Sequence, residues 1–535
     1  MPADLDPRRW LRAVQRVLGR LPTTVAAPFA RLPESPLVPL RDPWPGDAAR
    51  GSRILKGELV VEGTARPLDP AAGDDGAWSE AAHGFAWLRD LRAVGSDAAR
   101  LRARALVGAW IEAAPRLPPA RETVLGARIT ALLSHWDFLA ASAEETFRAA
   151  VMGRIVEDAR TLSGLLPAET MDARAFTALK GLVAAGAALP GGEPHLARAL
   201  RFLGQEIDRQ MLPDGGHVER SPAALLAAVM DLIEIRAILA LARVPAPDAL
   251  VAAIERAMPM LAALRHGDGG LVLFNGTREG DPALLSLVQA QSHVRARPSA
   301  RAPEMRFERL VAGRTVLIVD AGPPPPRGLD RRAHAGTLAF ELSVGRDRLI
   351  VNCGAAPAAA NAWRDALRAT AAHSTLVIAD VNSSELREDG LGRRPEQVAV
   401  QRHEANGAHW LDASHDGWKR PFNAIHRRRL YLGDTGEDVR GEDSIEAQHP
   451  QPFAIRFHLH PSVSASLQQD GAGVLLRTPS SGGWALRADG ARLALEESVY
   501  AGTDERRRTQ QVVLSGSPAD GPCLVKWAIT RMGGA

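Results

Sequence analysis

Two histidines stand just ahead of β-forming runs: His334 in RRAHAGTLAFELSVGRDRLIVNCG (331–354) and His373 in ATAAHSTLVI (369–378). Asn352 closes the second apolar run of the first stretch. Strand residues alternate faces, and antiparallel neighbours lie about 5 Å apart. A hairpin around VGRD would set His334 roughly opposite Asn352, and a strand at HSTLVI pairing alongside would add His373. Two imidazoles and an amide oxygen form a donor set for zinc, with Asn a neutral and poorer ligand than Asp. The alternative is a pair of hydrogen-bonded histidines that stabilise a strand junction.

Three further constellations have chemical potential. In MLPDGGHVERSP (211–222), Asp214-Gly215-Gly216 makes a turn and His217 and Glu219 alternate in an extended piece. Ser221-Pro222 then opens a helix with a cap and a first-turn proline. Asp, His, Glu and Arg220 within seven residues also suit a sugar- or acid-binding loop. In RFHLHP (456–461), His458 and His460 share one face of a strand, without a third ligand at a recognisable spacing. Trp78, Phe85 and Trp87 could stack on sugar rings or pack between helices. RHGDGGLVLFNGTREGD (265–281) lacks the glycine spacing and lysine of a P-loop, and no G-x-S-x-G, H-E-x-x-H or dinucleotide fingerprint occurs.

The elements that position these residues change character along the chain. Residues 1–77 read as an N-terminal arm with short helices. From 78 to 293, apolar residues recur at helical spacing, as in Leu106, Val107, Trp110 and Ile111, then Leu179, Leu182, Val183 and Gly186. These runs stop at RLPP, LLPAE, ALPGGEP and MLPDGG, which predicts antiparallel helices with short connections. VRARPSARAPE (294–304) reads as a linker. Over 305–535, short β-branched runs such as TVLIVDAG, DRLIVNCG, FAIRFHLHP and QQVVLSG alternate with turns, the pattern of a large antiparallel β-sandwich.

Composition limits the function classes. Sixty-five basic and 62 acidic residues are well mixed, so there is no electrostatic case for nucleic acid. Two cysteines, Cys353 and Cys523, exclude a disulfide framework. No stretch approaches the roughly 20 apolar residues that cross a bilayer, and the N-terminus shows no export signal. VQRVLGRLPTTVAAPFARL (14–32) reads as a packed amphipathic helix, with a membrane-surface helix as the other reading.

The quoted β-region stretches, with the SHDGW, IHRRRLYLGD and VRGEDSI segments, resemble the C-terminal domain of heparinase II/III-like proteins. QMLPDGGHVERSP and RHGDGGLVLFNG resemble the helical domain joined to it. The resemblance implies an incomplete (α/α) toroid followed by an antiparallel β-sandwich, and β-elimination on uronic-acid glycans. It implies a bacterial cell envelope or periplasmic location, whereas the missing export signal suggests the cytoplasm. In such chemistry a cation or donor pairs with the uronate, a base takes the C5 proton and an acid protonates the leaving oxygen.

Carried onto this chain, the resemblance makes His217, Glu219 and Arg220 the catalytic candidates, with Arg220 pairing the carboxylate. Asp214, Trp78, Trp87 and Arg364 are the substrate-binding candidates. His334, Asn352 and His373 match the family's His/Asp/His zinc set, with Asn where the Asp belongs. The family's Asn-His pair is missing from the helix around DARAFTALKGLVAAG, and Ala223-Ala224-Leu225 stands where related lyases place Tyr or His. The only tyrosines, Tyr431 and Tyr500, lie in the β region. These departures leave a rival: a glycan-binding protein of envelope or exopolysaccharide assembly that keeps the scaffold and has lost catalysis.

Overall fold

The computed structural model describes residues 32–61, 63–69, 76–356, 361–447, 449, 451–468, 471–517 and 523–533. The expected amphipathic N-terminal helix lies outside the described residues, except for Leu32. The chain divides into two compact units, residues 1–211 with 227–255, and residues 212–226 with 256–535. Periodicity alone groups 212–226 and 256–293 with the helices; by packing they belong to the second unit.

Among its described residues, the first unit is helical apart from one hairpin, β1 (Glu58–Val61) with β2 (Thr64–Pro67). Its helices begin where capping chemistry allows: Asp47 accepts from the amides of Ala49 and Arg50, and Ser96 from that of Ala99. Helices Glu122–Ser134 and Arg174–Ala188 touch backbone to backbone. A Cβ on Gly181 would lie 2.3 Å from the Gly126 Cα, so only glycine permits that approach. Buried charge here is paired. Lys180 Nζ lies 2.7 Å from Asp231 and 2.8 Å from Glu234, and Arg128 lies 2.7 Å from Asp158.

The second unit is built on β3 (Phe307–Ala312), β4 (Thr315–Asp320), β5 (Phe340–Val344), β6 (Asp347–Val351), β7 (Leu376–Ile378), the small β8 (Leu386–Arg387) and β9 (Gly390–Leu391), and β10 (Val398–Ala405). Then follow β11 (Ala408–Trp418), β12 (Ala424–Leu432), β13 (Asp438–Ala447), β14 (Phe453–Leu459), β15 (Ser464–Leu467) and β16 (Gly473–Thr478). The last are β17 (Gly482–Asp489), β18 (Arg492–Tyr500), β19 (Arg507–Gly516) and β20 (Cys523–Arg531). One sheet runs β10-β11-β12-β13-β20-β17-β16-β15, and the other runs β18-β19-β14-β6-β5-β4-β3, with β7 on β14. All named pairings are antiparallel, and alternate residues from both sheets fill one core that includes Phe340, Trp418, Phe457, Trp484 and Trp527. Gly441 admits the Trp527 indole, whose ring carbon would lie 2.0 Å from any added Cβ.

The hairpin expected around VGRD is present as β5–β6, with Val344 opposite Asp347. The third expected strand sits elsewhere. Leu376–Ile378 pairs with Phe453–Ile455 of β14 rather than with the hairpin, because β14 also pairs β6 and takes the place beside it.

Candidate functional site: a buried histidine junction

His334 precedes β5 in a loop and His373 precedes β7, and the two imidazoles meet edge to face. His334 Nδ1 lies 3.0 Å from His373 Nε2, and His373 Nδ1 lies 2.8 Å from the Ala369 carbonyl. The carbonyl can only accept, so His373 carries its proton on Nδ1, and its Nε2 accepts from His334 Nδ1–H. Burial holds both rings neutral. His373 is lowered to about 4, and His334 is driven well below the ordinary histidine range by burial and then by His373 and Arg368.

Asn352 does not join them. Its Nδ2 donates to Glu341 Oε1 at 3.1 Å and its Oδ1 accepts from the Ser374 amide at 2.9 Å. Glu341 also accepts from the amides of Asn352 (2.9 Å) and Leu273 (3.2 Å), and meets His266 Nε2 at 2.9 Å. Among the described residues, no group of three or more His, Cys, Asp and Glu could hold a metal ion. A zinc site draws on at least three protein ligands. His334 and His373 supply two nitrogens, already bonded to each other, and the Asn352 amide is committed to a strand junction. The residues present therefore do not fit zinc.

The 211–222 loop folds as the cap reading predicts. Ser221 Oγ accepts from the Ala224 amide at 3.4 Å, and Pro222 starts the helix. His217 is wholly buried, its Nδ1 3.3 Å from the Glu219 amide and 3.6 Å from Glu219 Oε1. Arg220 has a different role from the one expected. Its Nε donates to the Met305 carbonyl (2.9 Å), its terminal nitrogens to the carbonyls of Pro323 and Arg306, and it pairs with buried Asp320. Its guanidinium also lies 5.0 Å from the Phe307 ring centroid. Every guanidinium nitrogen of Arg220 is engaged inside the unit, with four of its five N–H groups bonded and its charge paired with Asp320, which holds it as a structural arginine.

The substrate-binding candidates also have structural partners. Asp214 accepts from the amides of Gly216 (3.0 Å), Glu304 (2.9 Å) and Met305 (2.8 Å), clamping the 294–304 segment. Trp87 is buried, donates to the Ala82 carbonyl at 2.9 Å and packs edge-on against Phe85, so it has no face for a sugar. Trp78 is half-buried beneath Arg66, 5.5 Å away. Arg364 donates to the Glu388 carbonyl at 2.7 Å. His458 and His460 do not chelate together: His458 bonds Ser498 and the Ala371 carbonyl, whereas His460 lies past the strand end against Ser462 and Glu279.

Sequence reasoning missed Asn275 and Glu341. Asn275 ties the catalytic candidates to the histidine junction, donating to the Arg220 carbonyl (2.9 Å) and accepting from the His334 amide (3.1 Å). Its φ of 46° places it in the left-handed region that asparagine tolerates better than most residues. Glu341 carried a readable signal, a carboxylate inside the buried strand Phe340–Val344, which requires buried partners.

The comparisons agree with this architecture. Residues 294–528 match the family model described as Heparinase II/III-like, C-terminal. A Caulobacter vibrioides protein named FtsZ-localized protein C is 34% identical over 524 residues, covering 92% of this chain and 90% of the relative. The crystal structure of heparinase III superposes with a TM-score of 0.73 at 13% identity, over 98% of this chain and 90% of that one. Heparan sulfate lyase HepC from Pedobacter heparinus superposes with a TM-score of 0.60 at 14% identity, over 97% and 87%. These superpositions establish the expected fold class, an incomplete (α/α) toroid followed by an antiparallel β-sandwich. Together with the relative that matches along nearly the whole chain, they make this protein a member of the heparinase II/III-like family.

Proposed function

We propose that this protein uses the lyase-like scaffold without cleaving glycans, and that it localises with FtsZ in a bacterial cell. The observation that carries the first half is the fate of Arg220. The only arginine among the catalytic candidates pairs with Asp320 and three carbonyls inside its own unit. The helical region has no tyrosine to act as base, and Lys180, in the helix that lacks the Asn-His pair, is held by two carboxylates. The second half is supported by the 34% identity to a relative named for its FtsZ localisation. The test is imaging of a fluorescent fusion beside labelled FtsZ in the same cells, before and after FtsZ depletion. Co-localisation that disperses on depletion is expected; a distribution indifferent to FtsZ overturns this half.

The second reading is a lyase acting on acidic polysaccharide in the cell envelope. The adjacency of His217 and Glu219 favours it, since a base and an acid would need such closeness. Release of unsaturated uronate from heparan sulfate, alginate or polygalacturonate, lost in His217→Ala, would establish this reading against the first.

A further inference from the structure

We propose that the outer face of the β10–β15 sheet carries a binding groove for an uncharged oligosaccharide. The groove encloses about 770 Å³ across β11, β12, β13, β20 and β17, within the range of small-molecule sites. Antiparallel register aligns its side chains in two cross-strand rows. One row reads His403, Trp410, Tyr431, Arg440, Ala528 and Arg487. The next reads Asp412, Arg429, Glu442, Lys526 and Asp489.

The first row opens with rings. Trp410 is 40% exposed, unusual for the largest apolar side chain. Its ring centroid lies 5.2 Å from Tyr431 and 5.6 Å from His403, and the Arg440 guanidinium lies 5.8 Å from the Tyr431 centroid. These tilted rings form an exposed ledge at one end of the groove. Arg487 and Lys526, at the other end, have no ion-pair partner among the described residues.

Three physical features select the ligand class. The backbone groups of a sheet interior are used in the ladders, so a ligand on this face meets side chains only. An extended peptide would find no main-chain partners there, as it would at a sheet edge. The lining carries four cations, Arg429, Arg440, Arg487 and Lys526, against three carboxylates, Asp412, Glu442 and Asp489. Near-balanced charge gives no field for a polyanion. Asp412, Arg429 and Glu442 pair with one another and Arg440 pairs with Asp438, which leaves Arg487, Lys526 and Asp489 to bond hydroxyls, while the flat C–H face of a sugar suits an exposed indole. The site stands on the groove alone and does not draw on the FtsZ reading.

The test is titration calorimetry of the full chain with cellohexaose, maltohexaose and chitohexaose, alongside an oligoguluronate and hexaglutamate. Saturable binding of at least one neutral hexamer is expected. Trp410→Ala and Tyr431→Ala, each checked for an unchanged melting transition, should weaken it about tenfold or more. Trp363→Ala, which removes an exposed tryptophan outside the groove, should leave it unchanged. Absence of binding by all three neutral hexamers, undiminished binding by a folded Trp410→Ala, or tighter binding of the oligoguluronate or hexaglutamate would each overturn the proposal.

Discussion

Replacing Arg220 with alanine separates a structural arginine from a substrate-binding one. In the wild type, Arg220 and Asp320 are each 6% exposed, and the guanidinium bonds three main-chain carbonyls besides. Removing one member of a buried pair leaves the other uncompensated, at a cost of about 3–5 kcal/mol. Burial already pushes the Asp320 carboxyl above the ordinary carboxylate range with Arg220 in place. Without Arg220 it rises further, and protonation limits the loss toward the lower figure. A folded pKa above the unfolded one means that the variant's native state binds an extra proton. Its penalty is therefore largest near neutrality and shrinks as pH falls toward about 4. For a unit of this size the expected drop in melting temperature is on the order of 10 °C. The assay is thermal and urea unfolding of both proteins from pH 5 to 8, with Arg220→Met/Asp320→Leu as the double variant. The double variant should recover much of the loss, because no buried charge remains. Wild-type stability in Arg220→Ala, or a penalty that grows on acidification, would refute the structural role.

Four further outcomes follow from the same geometry. His373 is neutral when folded, with its pKa lowered to about 4 from 6.5, so the unfolded chain binds more protons in between. Stability should fall as pH drops through that window, and His373→Asn should flatten the dependence of urea midpoint on pH; an unchanged slope would count against the neutral pair. Burial pushes the Cys353 thiol up to about 12 and Cys523 up to about 11, so Ellman's reagent should label neither rapidly at pH 8 before unfolding. Lys180→Met leaves Asp231 and Glu234 facing each other and should cost about 3–5 kcal/mol, read by urea unfolding. Trp87→Ala should cost a similar amount, about 3–5 kcal/mol, by opening a cavity, without altering any glycan affinity.

Much of the fold was legible because its strands are short apolar runs bounded by turn residues. Thr315–Asp320, Asp347–Val351, Phe453–Leu459 and Arg507–Gly516 fall where β-branched runs sit between turn residues. Less visible was β11, whose inward positions after Leu411 are Ala413, His415 and Gly417. In β13, the inward Gly441 and Asp443 obscure the pattern in the same way. Asp443 is tolerated there because His426, Arg428 and Trp527 all bond it, partners that come from other strands. The site was legible in part. His334 and His373 meet as their strand contexts suggested, although 39 residues separate them. Asn352 looked like a ligand because its own partners, Glu341 and Ser374, lie on other segments. Arg220 misled for the same reason, since Asp320 is 100 residues away. Local spacing reports which groups can meet; it does not report which groups are already satisfied.

The central claim, that this scaffold holds its polar groups for structure rather than for β-elimination, is tested most directly by one absorbance measurement. Purified full-length protein is incubated with heparan sulfate, alginate and polygalacturonate, with and without added zinc, and unsaturated uronate is followed. The account predicts no product above the buffer rate in any mixture. Product formation that disappears in His217→Ala while the protein stays folded would contradict it.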